Sequence, residues 1–247
     1  MRRLRALARL AHAVGHGLHG LAIVLFSFPS LSLEARRDRI RWWSMKMLAV
    51  LGIAFECDGV PRRERSLLVA NHISWLDIMA VHAVVPEARF VSKADVKGWP
   101  LVSRLVDSAG TLYLERERKR DALRVVHVVA EALVAGQVVA IFPEGTTSTG
   151  HGLLPFHANL LQAAIATATP VQPVALRFAD ATHAVSEAVE FIGETSLLTS
   201  LWRTSCGDGV RVRLTFLPPL ASAGVERRAL AELLRADIAA ALAVAAP

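Results

Sequence analysis

Leu67-Leu68-Val69-Ala70-Asn71-His72-Ile73-Ser74-Trp75-Leu76-Asp77 runs from an uninterrupted apolar segment, through a polar corner, into a helical pattern. A short apolar run bounded by polar residues reads as a strand buried on both faces, as in a parallel sheet. Ile73 to Val84 reads as a helix entered through Asn71-His72. Strand, corner and helix in succession are the repeating unit of an α/β fold. The corner also carries chemistry. Histidine takes up and returns a proton near neutral pH, and a carboxylate on its other ring nitrogen fixes the tautomer and stabilises the imidazolium. His72 and Asp77 lie five positions apart, which is not one face of a regular helix. His72 must therefore sit in the entering loop and Asp77 one turn inside.

The same alternation continues downstream. Arg89-Phe90-Val91, Thr111-Leu112-Tyr113-Leu114, Val138 to Phe142, Val171 to Phe178, Ala188 to Ile192 and Val210 to Leu217 read as strands. Ala122 to Val134, Leu160 to Ala168 and the Ala- and Leu-rich Arg227 to Ala246 read as helices. The prediction is an α/β fold whose mixed, mainly parallel sheet is flanked by helices, with a two-helix membrane-associating element at the N-terminus.

That element is legible in charge and hydropathy. The 247 residues are 53% hydrophobic and carry a net charge of +6, with a mean hydropathy of +0.39 and a pI near 10.1. Such a balance favours anionic partners. Arg2, Arg3, Arg5 and Arg9 precede the charge-free stretch Leu10 to Leu33. A second apolar segment, Trp42 to Phe55, follows the charged Glu34 to Arg41. Two apolar helices joined by a basic turn, with Trp42 and Trp43 at the boundary, predict an uncleaved anchor dipping into one leaflet from the cytoplasmic face of the inner or plasma membrane. A secretory signal would need a small-residue cleavage site, and none follows Phe28. The expected division is residues 1–57 as anchor and 58–247 as the α/β domain. Cys57 and Cys206 form no CxxC pair and read as buried thiols.

The second chemical stretch is Phe142-Pro143-Glu144-Gly145-Thr146-Thr147-Ser148-Thr149-Gly150. It leaves the C-terminal end of a strand, where open α/β sheets bind ligands. Pro143 stops the ladder, and Gly145 admits close backbone approach. Successive N–H groups and hydroxyls can hold an anionic oxygen. Several other chemistries drop out. Gly145 to Gly150 has P-loop spacing, but His151-Gly152 stands where Lys and Ser/Thr are required. Gly15-His16-Gly17-Leu18-His19-Gly20 matches a dinucleotide fingerprint in letters but follows no strand. His12, His16 and His19 share a helical face and read as a polar stripe, not a metal site. There is no G-x-S-x-G elbow for a serine hydrolase. Nor is there a nucleic-acid-binding motif.

Together these blocks resemble the glycerolipid acyltransferases, the family of 1-acylglycerol-3-phosphate acyltransferases. Asn71-His72 with Asp77 matches the N-H-x-x-x-x-D block, and Phe142-Pro143-Glu144-Gly145-Thr146 matches F-P-E-G-T. Gly110 to Arg116 is similar to G-x-x-F-x-x-R, with Tyr113 at the aromatic position. Val171 to Leu176 is similar to the proline-centred fourth block, with Pro173 at its centre. Lys93 and Pro100 fall in a segment like the family's Lys- and Pro-containing stretch.

The resemblance implies that His72, oriented by Asp77, takes the proton of a lysolipid hydroxyl, which attacks the thioester of acyl-CoA or an acyl carrier protein. It implies that Arg116, Glu144, Gly145, Thr146 and Thr147 hold the acceptor and its phosphate. Asn71, Gly110, Phe142, Pro143, Lys93 and Pro173 would be supporting residues. The partners implied are membrane lipids, the lysolipid and the acyl donor, without nucleic acid. No metal or organic cofactor is implied, because the thioester is already activated. The acceptor expected is 1-acylglycerol-3-phosphate, giving phosphatidic acid. The family often has arginine where this chain has Thr147, which opens a place for other lysolipids such as lyso-ornithine lipid. The reading from a different class is a non-catalytic membrane lipid-binding protein, for which His72 would be dispensable.

Overall fold

Apolar runs with no polar alternation need cover on both faces, and the two most continuous ones lie at the centre of the sheet. The computed structural model describes residues 2–93, 98, 100–114 and 119–244. The strands are β1 (Ala54–Asp58), β2 (Ser66–Ala70), β3 (Arg89–Lys93), β4 (Leu112–Leu114), β5 (Val138–Ile141), β6 (Val171–Ala179) and β7 (Arg211–Phe216). Every residue of β2 and β5 is buried. The seven strands are ordered β1-β7-β6-β2-β5-β3-β4. All neighbours pair in parallel except β6 with β7. The fold is thus the expected mixed, mainly parallel sheet with flanking helices.

The helices are α1 (Arg2–Ala22), α2 (Leu33–Val50), α3 (Leu76–His82), α4 (Pro100–Ser108), α5 (Lys119–Val134), α6 (Leu161–Ala166), α7 (Leu197–Cys206) and α8 (Arg227–Val244). Side chains alternate across a strand, so β2 feeds two cores. Leu68 and Ala70 join Leu176 and Leu214 beneath Leu48 of α2, Leu51 at the C-cap of α2 and Leu76 of α3. Leu67 and Val69 join Val139 and Ile141 beneath α5, α6 and α8, through Leu133, Leu161 and Leu234.

Several local expectations are corrected. The helix expected from Ile73 begins only at Leu76, because the N–H groups of Ile73 and Ser74 go to the Asp77 carboxylate. The basic stretch Glu34 to Arg41 is not a turn but lies within α2. Ser32 caps that helix by accepting from the Ala35 N–H. The real turn is the π and 3-10 run Ile23–Ser30. Gly52, at φ +78°, ends the α2 segment, and Phe55 and Cys57 belong to β1, inside the sheet. Ala188 to Ile192 is no strand: Ser186 caps a 3-10 turn at Glu187–Val189, and the Ala188 carbonyl accepts from Thr204 Oγ1. Both cysteines are exposed, since one lies on an edge strand and the other in the last turn of α7. Pro173 is in an interior strand, between β2 and β7. It is tolerated there because the β6–β7 register begins only at Val174.

The N-terminal helices share a core with the sheet, through Ala13, Met47 and Leu48. His16 Nε2 meets the Trp43 carbonyl at 3.0 Å, and Trp43 Nε1 donates to the His16 carbonyl at 3.0 Å. A Cβ at Gly20 would overlap the Trp43 indole. Of the three glycines of the apparent fingerprint, Gly20 serves helix–helix approach, whereas a Cβ at Gly15 or Gly17 would meet nothing within 4 Å. The outward side of α1 leaves Leu4, Leu7, Val14 and Leu18 exposed. By length and composition, the helical run Arg3–Ser30 is apolar enough to cross a membrane.

Candidate active site

Where β2 ends, Asn71 continues its ladder with a side chain. Its amide donates to the Leu176 carbonyl at 2.9 Å, and its Oδ1 accepts from the Leu176 N–H at 2.7 Å. The chain can leave the sheet here without orphaning the backbone of β6. His72 follows in the loop, its side chain 18% exposed, while Asp77 is fully buried in the first turn of α3. Asp77 Oδ2 receives His72 Nδ1 at 2.7 Å, Ile73 N at 2.6 Å and Ser74 N at 2.9 Å. With Nδ1–H donating to a carboxylate, Nε2 keeps its lone pair.

The turn after β5 closes over this residue. The Phe142 ring lies parallel to the imidazole, at 3.9 Å between centroids and 6° between planes, and Phe90 stacks behind it at 5.4 Å. His82 sets its ring edge-on against Phe90. Full burial pushes the His82 pKa down to about 4, so it is a neutral wall.

Glu144 is 3% exposed. Its Oε1 accepts the His72 N–H at 2.7 Å and its Oε2 the Leu154 N–H at 2.9 Å. Burial raises its pKa, and these two donors together with His72 oppose the rise. Ser148 supplies both N–H, at 2.8 Å, and Oγ, at 3.1 Å, to the His72 carbonyl. Gly145, at φ +70°, makes the reversal that brings Glu144 and Ser148 to the same residue. Pro143 is buried, and its carbonyl accepts from the His157 N–H. Thr147 Oγ1 donates to the Phe191 carbonyl, and the Phe191 N–H reaches the Ile73 carbonyl at 3.3 Å. Thr146 is exposed.

The structure therefore brings together Asn71, His72, Asp77, Phe142, Pro143, Glu144, Gly145, Thr146 and Thr147. Gly110 lies apart, in the turn before the edge strand β4, at φ +72° and with its carbonyl held by Arg89 Nε at 2.6 Å. Lys93 ends β3 and Pro173 lies in β6. Arg116 and the Lys93 side chain lie outside the described residues. Ser148 is the functional residue that sequence reasoning did not single out. Its only sequence signal is a hydroxyl in the loop following Glu144. Among the described residues no cluster of three or more His, Cys, Asp or Glu side chains could hold a metal ion. The arrangement presents one oriented, stacked imidazole at the C-terminal end of the central strands, with no hydrogen-bond partner on Nε2 among the described residues. Such a group removes a proton from a hydroxyl brought against it.

Known proteins share this framework. The profile of the family described as Acyltransferase matches residues 54–177. The chain is similar to a lyso-ornithine lipid O-acyltransferase of Pseudomonas aeruginosa, 36% identical over 94% of this chain and 91% of that one. It is also similar to a 1-acyl-sn-glycerol-3-phosphate acyltransferase of Neisseria meningitidis, 36% identical over 87% of this chain and 83% of that one. The crystal structure of the 1-acyl-sn-glycerophosphate acyltransferase from Thermotoga maritima superposes with a TM-score of 0.76. It covers 99% of this chain and 97% of its own, at 20% identity, and speaks for the fold.

Proposed function

The chain belongs to the acyltransferase family, and from that premise we propose that it transfers a fatty acyl group from acyl-CoA or an acyl carrier protein to the free hydroxyl of a lysolipid. His72 Nε2 takes the hydroxyl proton as the oxygen attacks the thioester carbonyl. When the tetrahedral intermediate collapses, the C–S bond breaks and the thiolate takes the proton from the imidazolium. Asp77 holds the ring and balances its transient charge. The observation that carries this reading is the 2.7 Å contact from His72 Nδ1 to a fully buried carboxylate, with one edge of the ring open.

The acceptor is 1-acylglycerol-3-phosphate in the first reading, its phosphate held by Arg116 and by the N–H groups of Thr146 and Thr147. A second acceptor, lyso-ornithine lipid, is favoured by the turn itself. Residues 143–150 contain no cation, and the Thr147 hydroxyl is directed to Phe191. The Pseudomonas relative named for that substrate aligns over nearly the whole chain. No metal or organic cofactor enters either reading.

The protein works at the cytoplasmic membrane surface. The exposed Leu4, Leu7, Val14 and Leu18 of α1, with Phe26 at the helical turn, enter the apolar layer, and the nearby arginines meet anionic headgroups.

The test is acyl transfer by detergent-purified protein with both donors, and with lysophosphatidate and lyso-ornithine lipid as acceptors. His72→Ala is expected to lower kcat roughly 100- to 10,000-fold. Undiminished transfer by that variant would exclude His72 as the base. Absence of transfer by wild type to any lysolipid would leave the protein a lipid binder.

A further inference from the structure

Resting on the acyl-transfer reading, we infer that Glu144 is a positioning residue of the catalytic base and not a ligand of the acceptor. Its two oxygens already face two backbone N–H groups, at 2.7 and 2.9 Å, and its side chain is buried. A fixed, buried carboxylate repels a phosphate more strongly than it would in water. Its partners place it in another role. One is the main-chain nitrogen of His72. The other, Leu154, lies where the chain leaves the same turn, so the carboxylate staples the turn to the base.

Both polar backbone groups of His72 are held by this one turn, the N–H by Glu144 and the carbonyl by Ser148 N and Oγ. The ring rests on Phe142 of the same turn. Asp77 sets which ring nitrogen is protonated, while Glu144 and Ser148 set where the Cα of His72 lies. A base displaced by about 1 Å from its working position loses on the order of 100-fold in rate. The F-P-E-G-T turn thus cradles the base, and only its exposed edge is left for the acceptor.

Glu144→Gln tests this. The amide places an NH2 group against either the His72 or the Leu154 N–H, so the staple opens. Expected is a fall in kcat of roughly 10- to 100-fold, with the KM for the lysolipid within about twofold of wild type. Glu144→Asp keeps the charge on a shorter arm and is expected to lose kcat in the same way, which a charge contact with the acceptor does not predict. The downfield proton resonance of His72 Nδ1–H, identified by its absence in His72→Ala, is expected to broaden or shift in Glu144→Gln. A raised KM with kcat preserved, or an unchanged resonance in the Gln variant, overturns the inference. If Glu144→Gln does not fold, Ser148→Ala removes one donor to the His72 carbonyl, and a severalfold loss in kcat at constant KM is expected. If wild type acylates no lysolipid, the acyl-transfer reading fails, while the resonance comparison still decides the role of Glu144.

Discussion

Phe142 and Asp77 divide the support of one imidazole between a ring face and a carboxylate. A cation over an aromatic face gains about 0.5–2 kcal/mol, and in the proposed mechanism the His72 ring becomes a cation as it takes the hydroxyl proton. Phe142→Leu keeps apolar volume and removes the ring. Its kcat is expected to fall roughly 2- to 30-fold at unchanged KM, read by steady-state kinetics. Asp77→Asn is more severe, because three N–H donors converge on Oδ2 and an amide fixes the wrong tautomer. A loss on the order of 1,000-fold or more in kcat is expected, with native circular dichroism. The proposed base and its carboxylate, His72 and Asp77, were legible because they sit five residues apart and their side chains meet each other directly. Ser148 acts 76 positions from His72, on a main-chain carbonyl. Glu144 likewise engages backbone N–H groups, which every residue but proline possesses and no sequence pattern singles out.

Among the elements, the strand and helix at the catalytic corner are joined by buried polar groups with measurable consequences. Asn71→Ala strands both the N–H and the carbonyl of Leu176, which should lower stability by about 3 kcal/mol in urea denaturation. His82 makes stability depend on pH. An unfolded histidine takes up its proton near 6.5, whereas folded His82 does so near 4. Between those values the unfolded chain binds more protons, so stability declines as pH falls through that window, by up to about 3 kcal/mol at its lower end. Melting temperatures from pH 6.5 to 4 should drop more steeply for wild type than for His82→Phe. At this scale β2 and β5 were readable because burial on both faces leaves unbroken apolar runs. β1 was not, since Phe55-Glu56-Cys57-Asp58 is an edge strand with mixed exposure. The turn at Glu187–Val189 is defined by contacts from α7, which local sequence pattern does not carry.

Across the whole molecule, the anchor and the catalytic layers interlock. Arg9 Nη1 caps the end of α7 through the carbonyls of Gly207, at 2.8 Å, and Ser205, at 3.3 Å. Arg5 pairs with Asp208 at 2.9 Å. From α7, Ser200 Oγ accepts the Trp75 Nε1–H at 3.1 Å, within the catalytic corner. Gly20→Val, which drives a side chain into the Trp43 indole, should lower the melting temperature and release the tryptophan fluorescence of the hairpin. Residues 54–247 alone should aggregate in size-exclusion chromatography, because Leu48 and Leu51 would no longer cover α3. The proposed anchor and the acyltransferase layers are thus expected to fold together. The separation between Arg5 and Asp208, 203 positions, has a further consequence in time. At about 5–20 residues per second, translation completes the docking site for α1 roughly 10–40 s after α1 itself is made. Through that interval α2 is already available to pack on α1, while the face of α1 that meets α7 stays uncovered. On the proposed membrane association, synthesis order leaves that face open to lipid before the corner at His72 can close.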